Sequence, residues 1–117
     1  METKEILLRI DQLESKDAIR DLITTYGIAC DEHDMPTLMN CFTEDAVYNS
    51  PNGAMVADGR AAIEEMFVEA FKIRGAGFHW THDIMTRIDQ KDVDKAVGLV
   101  CSHAETTPGG VHSIASM

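Results

Sequence analysis

At Gly75 the spacing of apolar residues changes period. Before it, RAAIEEMFVEAFKI (60–73) brings Ala62, Ile63, Met66, Phe67, Ala70 and Phe71 onto one unbroken stripe of a helix. Gly75 and Gly77 stop that helix. Beyond them, His79 to Asp89 and Val93 to Glu105 read as strands joined by the polar turn Gln90-Lys91-Asp92. Alternation puts Val97, Leu99, Cys101 and His103 on one strand face. With the segments before it, the order is helix, short helix, hairpin, helix, then strands, which points to the α+β class, with helices laid on one curved sheet. Burying the stripe contributes about 1.5–3 kcal/mol per large side chain before entropy is subtracted.

The earlier segments fit the same plan. From Thr3 to about Cys30, Ile6, Leu7, Ile10, Leu13, Ile19, Leu22, Ile23 and Tyr26 define a first helix, with Ser15-Lys16-Asp17 as a break or a re-capped start. DEHD (31–34) ends it. Asp34 or Met35 opens a short helix, with Pro36 in its first turn, where a missing N–H costs nothing. AVYNS (46–50) and AMVA (54–57) flank PNG (51–53), a hairpin signal. TPGG (107–110) turns the chain once more, and VHSIASM begins a further strand.

Composition bounds what such a domain can do. The 117 residues carry 20 acidic against 10 basic side chains, a net charge of −10. That sign argues against nucleic acid or an anionic membrane as partner, since both require clustered Lys and Arg. No apolar run approaches the roughly 18 residues of a membrane span. The charged, periodic start METKEILLRIDQLESKD is not that of a signal peptide. Cys30, Cys41 and Cys101 form no CxxC pair, which suits free thiols in the cytoplasm and neither a disulfide frame nor a thiolate metal site.

Three stretches, in this order and spacing, resemble the SnoaL-like group of the nuclear transport factor 2-like superfamily. YGIACDEHD (26–34) is similar to the tyrosine and aspartate at the end of the family's first long helix. LMNCFTEDAVY (38–48) resembles its short helix running through Phe and Asp-Ala-Val into the first strand. DGRAAIEEMF (58–67) followed by FHWTHDIMTRID (78–89) is similar to its "G-x-x-x-I…H-x-x-x-N" run, with Asp83 where many relatives carry Asn. The likeness spans about residues 15 to 105. It implies a single domain over 1–117 with a cone-shaped, apolar pocket between three helices and a curved, mostly antiparallel sheet. It also implies that the family's final strands are absent from this chain, so that an obligate homo-oligomer, a dimer or higher, or a poorly stable fragment is expected.

In the scytalone and bile acid dehydratases of this superfamily, a Tyr, an Asp and a His face one another inside the pocket. Tyr26, Asp31 and His79 match those positions, and Tyr48 matches a ligand-facing tyrosine. The chemistry stands on first principles. Removing water from a ring takes a base for a carbon-bound proton and an acid for the departing hydroxyl, and a His held by a carboxylate does both in turn. A phenol polarises a carbonyl while the intermediate is enolate-like. No cofactor or metal is required. Met39, Phe42, Met66 and Phe67 suit the lining, with methionines that deform to fit a ligand, although plain core packing explains any one of them.

In a regular strand His79, Thr81 and Asp83 point one way and Trp80, His82 and Ile84 the other. His82 joins the pocket only if a bulge shifts the phase, and metal binding by His79 with His82 meets the same obstacle. His103 is a candidate second imidazole for the pocket, while His33 and His112 look exposed. The expected function is binding of a small hydrophobic, cyclic molecule, with cofactor-free dehydration or isomerisation if the chain is an enzyme. The alternatives are a non-catalytic ligand-binding or dimerisation module and, last, the small subunit of a ring-hydroxylating oxygenase.

Overall fold

A computed structural model of the chain describes residues 2–75, 77–106 and 113–116. The first helix, α1 (Thr3–Glu32), runs 30 residues without a break, about 45 Å at 1.5 Å per residue. Ser15-Lys16-Asp17 therefore marks no boundary. These residues are only modestly poorer helix formers than alanine, and no proline or glycine stands there to open the ladder. α1 stops at His33, whose φ of 55° is left-handed. The His33 N–H bonds the Cys30 carbonyl and the Asp34 N–H bonds that of Ala29. His33 is exposed, as expected, yet its ring stacks on Phe71 with centroids 4.2 Å apart.

Asp34 then caps α2 (Met35–Met39), its Oδ1 accepting the Thr37 N–H at 3.3 Å, with Pro36 in the first turn. β1 (Val47–Asn49) and β2 (Val56–Asp58) pair antiparallel, Tyr48 opposite Ala57. Gly59 ends this hairpin at φ 92°, a conformation that favours glycine. α3 (Arg60–Ile73) follows with the bounds its stripe predicts and buries Ile63 and Phe67.

β3 (Phe78–Ile88), β4 (Ala96–Thr106) and β5 (Ser113–Ser116) form an antiparallel sheet in that order. The β3–β4 turn is tightened by Asp89, whose Oδ1 accepts the N–H groups of Lys91 and Asp92 at 2.7 and 3.0 Å. Among the described residues, β1 and β2 form a separate two-stranded sheet. Each is three residues long, pairs with the other and packs on α3. The turn expected at TPGG (107–110), and His112, lie outside the described residues.

The core gathers at the C-terminal end of α1. Ala29 and Cys30 pack with Leu38 and Met39 of α2, Ala57 of β2, and Ile63 and Phe67 of α3. The N-terminal half of α1 extends past this cluster, so its apolar stripe stays uncovered, Leu13 by 67%. Among the described residues, no helix is long and apolar enough to cross a membrane.

Phe67 is only 1% exposed, whereas its neighbour Val68 faces outward. In urea unfolding, Phe67→Ala is expected to cost about 3–5 kcal/mol, and Val68→Ala to stay within about 1 kcal/mol. Equal losses at the two positions would contradict this core assignment.

Candidate functional site

α1 delivers Tyr26 and Asp31 from its last two turns, and β3 delivers His79 from its second residue. The Asp31 carboxylate takes both of its hydrogen bonds from that one residue. Its Oδ2 accepts the His79 backbone N–H at 3.0 Å, and its Oδ1 lies 2.6 Å from His79 Nδ1. The pair is partly buried, with side chains 15% exposed for His79 and 22% for Asp31. Gly27 faces His79 across the helix–strand contact, and a Cβ there would stand 3.4 Å from His79 Cβ. That distance is close van der Waals contact, so the helix and the strand meet at Gly27. With Nδ1–H turned to the carboxylate, Nε2 is the ring nitrogen left without a partner among the described residues.

Tyr26 lies beside this pair, its ring centroid 6.4 Å from that of His79. Its hydroxyl shares a 3.1 Å hydrogen bond with Tyr48 Oη. Burial first, then the neighbouring Cys30 and Tyr48, holds the Tyr26 phenol far above its ordinary range. Tyr26 is therefore a hydrogen-bond donor and not a base. Burial likewise pushes the Cys30 thiol up to about 11, and raises that of Cys41.

Tyr26 and His79 open onto a cavity of about 370 Å³ whose other walls include Leu22, Ile23 and Gly27 of α1 and Cys41 and Phe42 after α2. Thr81, Val100 and Ser102 of the sheet complete it. Of the residues expected to bind substrate, Phe42 is in this wall. The others are placed differently. Met39 and Phe67 are fully committed to the core, and Met66 and Tyr48 pack against it, with Tyr48 reaching the site only through Tyr26. Sequence periodicity marks both core and lining positions as apolar and cannot separate them. Cys41, Thr81 and Ser102 were not anticipated, although strand alternation from His79 already put Thr81 on its face.

His82 and His103 do not join the cavity, which corrects both expectations. A bulge is present, since Thr81 pairs with Ser102 and Asp83 with Cys101, but the extra residue is His82 itself. It stays on the outer face, its Nε2 2.6 Å from His103 Nδ1, and Trp80 lies tilted against the same His103 ring, centroids 4.6 Å apart. The phase shift acts beyond it. Asp83 goes to the outer face and Ile84, opposite the cavity residue Val100, comes inward. Among the described residues, no group of three His, Cys, Asp or Glu side chains is placed to hold a metal ion.

Residues 11–116 match the SnoaL-like domain family. The chain belongs to that family. Its fold is that of solved structures at low identity. A hexachlorocyclohexane dehydrochlorinase, LinA type 2, is similar at a TM-score of 0.80 and 18% identity, covering 92% of this chain and 73% of its own. A candidate scytalone dehydratase from Novosphingobium aromaticivorans is similar at 0.78 and 19%, covering 92% and 72%. A nuclear transport factor 2-like protein with a cystatin-like fold from the same organism follows at 0.70 and 24%, covering 98% and 73%. No curated protein matches the chain by sequence.

The raised thiol of Cys30 has a consequence in alkali. The native state holds the proton from an ordinary value of 9.0 up to about 11. Its contribution to stability is complete below pH 9 and is lost as pH rises through about 11. Thermal melts at stepped pH are expected to fall across that window and to fall less steeply in Cys30→Ala. An identical slope in the variant would remove Cys30 as the cause.

Proposed function

We propose that this SnoaL-like domain binds a small, largely apolar cyclic molecule and removes a β-substituent from it by proton transfer, with water as the expected leaving group. The observation that carries the reading is His79, held by Asp31 at Nδ1 and bordering an otherwise mostly apolar cavity. Dehydrochlorinase and dehydratase are both names for eliminations, and the fold shared with proteins so named supports the reading.

In the proposed reaction, neutral Nε2 takes a proton from the carbon beside a carbonyl. The C–H electron pair moves toward the carbonyl oxygen as an enolate, and the Asp31 carboxylate stabilises the imidazolium that forms. Tyr26, which keeps its proton, donates to the developing oxyanion. The pair then returns to form the C=C bond as the hydroxyl leaves, and His79 gives it the proton to make water. Every group ends in its starting state. Isomerisation follows if the same proton returns to another carbon.

A hydroxytetralone tests this, since loss of water gives a fluorescent naphthol. His79→Ala is expected to lower kcat by about 10²–10⁴-fold. Asp31→Asn is expected to lower it too, with a changed His79 tautomer in nitrogen NMR, because an amide cannot accept both bonds. Tyr26→Phe should lower kcat more than it changes KM. Binding without turnover in the native chain, unaffected by Asp31→Asn, would instead identify a non-catalytic ligand-binding module.

A further inference from the structure

Thr81 and Ser102 stand directly opposite each other on β3 and β4, and both line the cavity. Cross-strand partners in such a register have Cβ atoms about 4.5–5.5 Å apart. His79 is two residues before Thr81 on the same strand face, about 7 Å away. The sheet wall therefore presents an imidazole and two hydroxyls within the span of one fused ring system.

The hydroxyls end where the bulge begins. Beyond His82 the inward positions are Ile84 and Val100, both apolar. The helix wall facing them supplies Leu22 and Ile23. Neither hydroxyl has a hydrogen-bond partner among the described residues, so neither is committed to holding the fold. Among the described residues, no Lys, Arg, Asp or Glu lines the cavity. A carboxylate or phosphate on the ligand would enter without a fixed counter-charge, which is costly away from water.

We infer that Thr81 and Ser102 bind a neutral oxygen substituent, a hydroxyl or carbonyl, on the ring that lies against His79, and so select oxygenated over plain hydrocarbon rings. Two adjacent hydroxyls can donate to and accept from such a group, and they orient the ring in the cavity. This rests on the ligand-binding reading of the cavity proposed above.

Equilibrium dialysis with naphthol and naphthalene separates the two readings, because the probes differ by one hydroxyl. The native chain is expected to prefer naphthol. The double variant Thr81→Val with Ser102→Ala is expected to lose about 5- to 100-fold in naphthol affinity, the worth of one or two hydrogen bonds, and to hold naphthalene within about twofold. Thr81→Ser, which keeps the hydroxyl, should retain the preference, and circular dichroism melts verify that each variant folds. Equal losses for both probes, or no preference for naphthol in the native chain, would overturn the inference and leave the cavity reading standing. Failure of both probes to bind the native chain would overturn both.

Discussion

One carboxylate joins the two halves of the molecule. Asp31 sits at the end of the helical segment and His79 at the start of the long strands, 48 residues later. By accepting the backbone N–H of His79 as well as its ring, Asp31 fixes where β3 begins relative to α1. Two bonds to a single residue hold position and orientation together, and bonds to an ionised acceptor are the stronger kind. The cavity beside them exists because the helix is held there. Gly27, one turn earlier, faces His79 across the same helix–strand contact.

Within that frame the polar groups divide their work by environment. The partly buried Tyr26 phenol holds its proton more tightly than a free phenol, whereas the His79 ring keeps one nitrogen for the carboxylate and one for whatever enters. Cys30, on the helix face turned toward the core, is a satisfied small hydrophobe. The apolar side chains that could have competed for the cavity are mostly engaged elsewhere, around Phe67 and Leu38. The site is therefore sparsely furnished, and its few hydrogen-bonding groups carry the discrimination.

Much of this was legible in the residues. The stripe of α3 gave its bounds, because six apolar positions and a following Gly-x-Gly leave little choice. Asp34 and Pro36 announced the start of α2. The positions of Asp31 and His79 came from resemblance, since no local pattern says that residues so far apart will meet. Three things stayed hidden for physical reasons. Periodicity cannot tell a buried methionine from a cavity-lining one, as Met39 illustrates. It cannot show that the first helix outruns its packing partners, because Leu13 carries the same period as Ile23. And it assumes a regular strand, which β3 is not.

The extra residue at His82 divides β3 into two segments of opposite side-chain phase. Upstream, odd-numbered side chains look into the domain; downstream, even-numbered ones do. Without the bulge, the same residues in a regular strand would turn Ile84, Thr86 and Ile88 to the outside and bring Asp83, Met85 and Arg87 in. The same bulge that turns the Asp83 carboxylate away from the cavity also supplies the cavity's apolar end.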